Sequence, residues 1–383
     1  MGVRDFVVRA AARRPRVLLV TTPGGTRVRL AAERELRCRG WAVASTPAGA
    51  DLQLVAGPDC AASASELDRL WDDMPRPRVR LRVTAPDEVP SALDAGRARL
   101  GETERGRRPQ GHSAHTDMPG DRPMAQLGED RDGLTLDRLH VSLGPFLTDW
   151  PAGLVVRVVM QGDVIQRARL GEPYGTGPAG PFWSRPWSRA SAGEPVPLAQ
   201  ATRRRAAAHL DSLGRLLSVA GWPAEAVTAR RLRDDLLERA PANDLLPRTV
   251  RLSRRVGRSR TLYRLTRGIG PLTAADARAA GVSGPAARAG GDVPARYRQW
   301  LSDTVDAVDD LRRLDGDATP LDPVTRESPR GRWDSDRPPS AALAGLLPRL
   351  LEGTELAAAR LLVASLDPDP DELPVRRPEV ARG

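Results

Sequence analysis

Lysine is absent from this 383-residue chain, and all 59 basic residues are arginine. Asparagine occurs once, at Asn243, and isoleucine twice, at Ile165 and Ile269; aromatic residues make up only 4%. This is the imprint of a GC-rich coding sequence. The formal net charge of +10, set against 49 acids, is therefore weak evidence for a nucleic-acid partner, and solvated surface charge is the better account of it. Cysteine is also scarce. Cys38 and Cys60 cannot supply a disulfide framework or the four thiolates that an iron–sulfur cluster usually takes. No apolar run approaches the ~18 residues of a spanning helix, as residues 17–20 and the Arg-interrupted residues 154–160 illustrate. A four-residue run is equally short for the core of a signal peptide, so the expectation is a cytoplasmic chain.

Hydrophobic residues reach 40%, enough for a packed core, and some of the 35 glycines and 35 prolines must then sit in linkers. Residues 16–100 alternate short strands with helices. An apolar strand over 16–22 runs into Gly24-Gly25, a helix follows to Gly40, residues 41–45 and 51–57 read as strands, 63–74 as a helix and 79–83 as a strand. That alternation predicts a parallel α/β sheet. From Gly101 to Asp132 the composition shifts to Gly, Pro, Arg, Glu, Asp and His without apolar periodicity, as in a linker. Residues 138–143, 153–160 and 164–170 read as β structure, the last two as a hairpin around Gln161-Gly162-Asp163. The Pro/Gly/Trp-rich residues 171–197 read as an irregular loop, with Trp183 and Trp187 as a lid on an apolar surface. Helices are expected over 201–220, 224–239, 294–314 and 340–366. The domain reading is 1–100, a linker at 101–133, and 134–383.

The residues that could carry chemistry give unspecific signals. Gly24-Gly25 lacks both GxGxxG and a P-loop ending, so it reads as a plain turn. His112 and His115 fall among the Pro and Gly of the linker, which cannot preorganise a metal site. His209 reads as a histidine at the boundary of a helix face. His140 with Asp137 or Asp149 could pair as acid and base, with Glu172 and Tyr174 close in sequence, but no nucleophile elbow accompanies them. Asp367, Asp369 and Asp371 alternate with prolines without EF-hand spacing and read as a solvated acidic tail. Asp303, Asp306, Asp309 and Asp310 read as a polar helix face.

Several motifs occur in the order of a known family. Leu143-Gly-Pro145, then Gly153-Leu-Val-Val-Arg157 and the turn Gln161-Gly162-Asp163, are followed by Arg267-Gly-Ile-Gly270, Gly281-Val-Ser-Gly284-Pro285-Ala-Ala-Arg288, Glu327-Ser-Pro-Arg330-Gly331 and Ser365-Leu-Asp367-Pro368. This series resembles the quinone-site subunit of respiratory complex I (NADH-quinone oxidoreductase) and the large subunit of nickel–iron hydrogenases, over residues 134–377. More faintly, Ala50-Asp51-Leu-Gln-Leu-Val-Ala-Gly57 and Arg69-Leu-Trp-Asp-Asp-Met74-Pro75-Arg-Pro77-Arg78 resemble the neighbouring complex I subunit that carries the terminal iron–sulfur cluster, related to the hydrogenase small subunit. The resemblance implies a fusion of these two neighbours: a flavodoxin-like parallel α/β domain, then a mainly α, hydrogenase large-subunit-like domain that opens with a β-hairpin.

The departures from the family are as informative as the matches. Where the cluster-bearing subunit places its cysteines this chain has Thr21-Thr22-Pro-Gly-Gly25 and Val83-Thr-Ala-Pro86, and the hairpin position of the quinone-binding His is taken by Phe146-Leu-Thr-Asp149-Trp150. The two Cys-x-x-Cys pairs that hold nickel and iron are absent. The resemblance thus implies a chain without iron–sulfur or nickel–iron centres, in which quinone is the one candidate ligand. Its partners would be other subunits of a complex I-like or hydrogenase-like assembly at the inner face of the cell membrane. Asp149, Trp150, Arg157, Gly284 and Arg288 are the candidate cleft residues; retained Gly284-Pro285 and Arg288 favour a working NADH:quinone oxidoreductase subunit, the lost His a scaffold. A stand-alone regulator binding an acidic partner through Arg203–Arg205 and Arg254-Arg255 is the remaining alternative.

Overall fold

A computed structural model describes residues 14–105, 126–129, 135–172, 180–314 and 318–373. His112, His115 and Tyr174 lie outside the described residues. Contacts divide the chain into one unit of Met1–His140 with Val159–Gly162, and another of Val141–Val158 with Asp163–Gly383. Together they form a mixed α/β protein with a parallel sheet, a separate second sheet and many helices.

In the first unit, β1 (Val17–Thr21), β2 (Leu52–Ala56) and β3 (Val79–Val83) form a parallel sheet in that order. β2 is buried along its whole length, which is why it reads as a continuous apolar run. Crossovers are α1 (Thr26–Arg39) and α2 (Ala64–Asp72), and α3 (Val89–Arg105) packs on β3. α1 ends at Gly40, whose left-handed backbone (φ 64°) stops the helix. The core combines Val17, Leu52 and Leu54 from the sheet with Val28, Leu36 and Leu93 from the helices. The strand expected over 41–45 shrinks to one parallel bridge of Val43 to Val17, on the edge of β1 opposite β2, because the chain pairs there only through Ala42 and Ala44. α3 also carries helix to Arg105, past the start of the expected linker.

The second sheet has the order β4 (Gln126–Glu129), β5 (Thr135–Leu143), β6 (Val156–Gln161), β7 (Val164–Leu170), with β4 and β5 antiparallel. β6 and β7 are joined at Gly162-Asp163, as the turn predicts. Helices then dominate: α4 (Arg185–Ser191), α5 (Leu198–Val219), α6 (Pro223–Leu237), α7 (Ala242–Gly257), α8 (Arg260–Thr266), α9 (Ala274–Ala279), α10 (Gly284–Ala289), α11 (Val293–Arg313), α12 (Pro339–Leu351) and α13 (Leu356–Leu366). α5 is central, packing on α6, α11 and α13, and α7 also packs on α11. Its apolar face includes Ala206, Leu210, Leu213 and Leu217, all buried at helical spacing.

Four expectations for this unit are corrected. The 171–197 stretch contains α4, and Trp183 and Trp187 are wholly buried rather than lids, the Trp187 indole N–H donating to the Arg326 carbonyl at 2.6 Å. The single helix over 340–366 is two helices. The break at Glu352-Gly353-Thr354 pairs with β7, Ile165 N–H donating to Thr354 O at 2.9 Å and Gly353 N–H to Ile165 O at 2.8 Å. His209 is buried at 2% exposure, and the acidic Asp367, Asp369, Asp371 and Glu372 are buried at 1 to 7%. Carboxylates are buried only when paired or protonated, so the last two corrections point to a site.

Candidate functional site

Three chain segments far apart in sequence converge in the second unit. α13 ends at Asp367, whose left-handed backbone (φ 42°) is one that Asp tolerates better than most side chains. That turn sends its carboxylate toward α5. Ser328-Pro329-Arg330-Gly331 forms a tight turn, Ser328 N–H donating to Gly331 O at 2.8 Å, and it delivers Arg330. α10 begins at Gly284-Pro285, and a Cβ on Gly284 would lie 2.5 Å from the Gly331 Cα. Both positions are glycine because the two backbones touch, and Gly284 also has φ 70°.

Asp367 is the hub. Its carboxylate accepts from the Ser212 hydroxyl at 2.5 Å, Arg215 Nη1 at 2.7 Å and Arg330 Nη2 at 2.8 Å, while Arg330 Nε donates to its carbonyl at 3.1 Å. Arg215 reaches back one turn to Asp211 at 2.6 Å, and Asp211 also pairs with fully buried Arg233 at 2.5 Å. Arg233 pairs with its neighbour Asp234. Three guanidinium groups thus meet three carboxylates in a buried network, the condition under which burying charge is tolerated. α6 comes close enough because Gly214 has no side chain: a Cβ there would lie 3.2 Å from Arg230 Cγ.

Two further acids stand at the edge of this network, with no guanidinium among the described residues hydrogen-bonded to them. Glu372 accepts from the Ser340 hydroxyl at 2.6 Å, and Asp369 N–H donates to the same hydroxyl at 2.9 Å. Burial pushes Glu372 up to about 7, reinforced by Asp369 and opposed by Arg330; Asp369 is raised for the same reason, again against Arg330. His209 moves the other way, down to about 4, because burial disfavours its cation. Its Nε2 lies 3.1 Å from the Pro329 carbonyl, so Nε2 carries the proton of the neutral ring. Arg296 in α11 is lowered to about 10 by burial and is held by Ser365 and the carbonyls of Gly270 and Gly291.

A small cavity sits against the hub, lined by Ser212, Pro285, Trp300, Arg330, Ser365 and Asp367 among others. At about 10 Å³ it has room for one water, far below the ~300–1,000 Å³ of a ligand pocket. Arg330 Nη1, buried and without a hydrogen-bond partner among the described residues, is a donor such a water would satisfy. Ser212 donates its hydroxyl proton to a carboxylate already held by two arginines, so it serves as a donor within the network rather than as an activated nucleophile.

The expected cleft residues fall in two places and on one exposed strand. Gly284 stands at the hub. Arg288, one turn on, bridges Asp303 at 2.8 Å and Glu327; burial alone would lower it, and the two carboxylates raise it above its ordinary value. Asp149, at φ 57°, pairs instead with Ser218 and Arg230 further along the α5–α6 seam, both at 2.5 Å. Trp150 is buried beside it in sequence and its indole N–H donates to Leu154 O at 2.8 Å. Arg157 is exposed on β6, as are Asp137 and His140 on β5. Sequence reasoning misses Ser212, Arg215 and Arg233; the signal that could find them is charged side chains at i, i+4 spacing within otherwise apolar helices.

In the first unit the loops after the strands meet at the carboxyl ends of β1 and β2, where an α/β sheet places its ligands. Here they are sealed by backbone. A Cβ on Gly25 would lie 2.3 Å from Ala56 O, and one on Gly57 would lie 2.6 Å from Gly25 Cα. The Thr22 hydroxyl donates to Pro58 O at 2.8 Å, filling the place where the resemblance expects a cluster-binding cysteine. Cys38 is exposed and Cys60 half-buried, and no group of three His, Cys, Asp or Glu among the described residues could hold a metal ion.

No family model matches the sequence, and no curated protein matches it. Among solved structures 80 chains match. One belongs to the membrane-bound sulfane sulfur reductase, an archaeal respiratory membrane complex; it is 16% identical with a TM-score of 0.43, covering 62% of this chain and 98% of that one. At that level of likeness the chemistry of the site rests on its own residues. No helix among the described residues is long and apolar enough to cross a membrane.

Proposed function

We propose that this chain is a fused relative of two neighbouring complex I subunits, the cluster-bearing one and the quinone-site one, and serves as a cofactor-less scaffold or accessory component of a membrane-associated redox assembly. The observation that supports it is the convergence of the three family-like segments, Gly284-Pro285, Ser328–Gly331 and Ser365–Asp367, on one buried point. They are more than 30 residues apart in sequence. In the redox-active relatives that point would carry metal or quinone; here Asp367, Arg215 and Arg330 fill it with a salt-bridge network. A network of this kind fixes the relative placement of α5, α13 and the 328–331 turn, as a docking scaffold needs. The sheet order Val43, β1, β2, β3 agrees with the flavodoxin-like, small-subunit part of the reading.

Deletion of the gene tests the proposal. A scaffold's loss should shrink or abolish a membrane oxidoreductase complex on blue-native gels, while Asp367→Ala should reproduce the loss through misassembly. A complex of unchanged size and amount in the deletion strain would refute it.

A further inference from the structure

The strongest charge asymmetry lies away from the buried network, on α7 and α8. No acid occurs between Asp244 and Asp276, whereas an even spread of 49 acids over 383 residues would put about four there. Within that stretch residues 248–267 hold eight arginines. Coding bias explains arginine in place of lysine, but not the missing acids. Arg248 and Arg255 are tied to Asp235 and Glu225. Arg251, Arg254, Arg258, Arg260, Arg264 and Arg267 are exposed and have no acidic partner among the described residues.

The fold sorts this stretch by face. α7 turns Leu245, Thr249, Leu252 and Val256 inward, and α8, capped by the Ser259 hydroxyl, turns Leu262 and Thr266 inward. Beyond Asn243, Asp244 and Pro247 at the start of α7, what is exposed on the two helices is arginine, Thr261 and, between Arg264 and Arg267, Leu265 at 53% exposure beside Tyr263 at 40%. Arg298 of α11, also exposed, stacks on the Tyr263 ring at 5.1 Å and extends the basic surface. An exposed aliphatic side chain and a tyrosine ringed by arginines is the composition of a surface that lies on an anionic bilayer, apolar groups entering the headgroup layer and cations pairing with phosphates. Nucleic acid would use the arginines but leave Leu265 without a role, whereas an anionic bilayer uses both.

We infer that the α7–α8 surface is a peripheral membrane-docking face that recognises anionic lipid headgroups and inserts Leu265. The inference stands on this surface alone and does not require the scaffold reading.

Co-sedimentation of the purified full chain with vesicles tests it. Binding is expected to phosphatidylcholine vesicles containing phosphatidylglycerol and not to phosphatidylcholine alone. Each arginine near an anionic surface changes partitioning about fivefold, so Arg260→Glu with Arg264→Glu should weaken binding about 25-fold or more. The charge-matched pair Arg167→Glu with Arg169→Glu, exposed on β7, should leave most of it. Leu265→Ser should weaken vesicle binding about fivefold while leaving retention on heparin unchanged. Equal losses from the two charge-reversed pairs, or vesicle binding indifferent to Leu265→Ser, would overturn the inference; tighter binding to RNA than to anionic vesicles would assign the surface to nucleic acid instead. All substituted side chains are exposed, and an unchanged thermal transition verifies that each variant folds.

Discussion

Removing the Asp367 carboxylate should be among the most damaging single changes in the second unit. The side chain is 1% exposed and accepts three hydrogen bonds, two of them from guanidinium groups. In Asp367→Ala, Arg330 (5% exposed) loses its hydrogen-bonded carboxylate, and Arg215 loses one of its carboxylates while keeping Asp211. Breaking one side of a buried ion pair costs about 3–5 kcal/mol, because the surviving charge stays desolvated. For a unit of this size that corresponds to a fall in Tm of roughly 6–20 °C. Urea denaturation followed by circular dichroism provides the measurement. Asp309→Ala, which removes an exposed partner of Arg312 and Arg313, should cost less than about 1 kcal/mol in the same assay. Asp367→Leu combined with Arg330→Met should recover part of the loss, since the cost lies in the unpaired charge. A loss below about 1 kcal/mol for Asp367→Ala would refute the claim that this carboxylate organises the site.

Three further outcomes follow from the same structure. Glu372 is raised from its ordinary carboxylate range to about 7, so its contribution to stability is complete below about pH 4.5 and is lost as pH rises through 7; Glu372→Gln should flatten that decline in pH-dependent denaturation. His209 has the opposite sign: lowered to about 4, it contributes stability above its ordinary 6.5 that is lost as pH falls toward 4, and His209→Gln should remove that acid-side loss. Gly25→Ala should destabilise the first unit by about 3 kcal/mol or more, because its three nearest obstacles are all backbone atoms, whereas Ala at Gly49, whose nearest obstacle is 3.8 Å away, should be tolerated within about 1 kcal/mol. Thermal melts of the two variants check the pair.

The sequence and the structure agree where one local rule decides. The parallel sheet is legible because β1 and β2 are apolar runs between turn residues, and α5 because its leucines keep helical spacing. Agreement ends where long-range partners take over. Glu352-Gly353-Thr354 breaks a helix only because β7 offers its backbone at Ile165, a partner almost 190 residues away. Asp367, Asp369 and Asp371 look like a solvated tail until Arg330, Arg215 and Ser340 are brought to the first two of them. The family-like motifs are visible as strings, but their convergence on one buried point is not, since a string carries no distance. Arg157 illustrates the converse: it matches the family's hairpin, yet alternation on β6 turns it to solvent.

The proposed role is that of a metal-free scaffold within a membrane redox assembly. Its most direct test is a mild-detergent affinity purification of the native protein from its own cells, with mass spectrometry of partners and iron and nickel analysis across the eluate. Complex I-type or hydrogenase-type subunits are expected in the eluate, with metal tracking those partners and departing from this chain when they are stripped away. Recovery of the chain without such partners, or stoichiometric iron retained by the isolated chain, would contradict it.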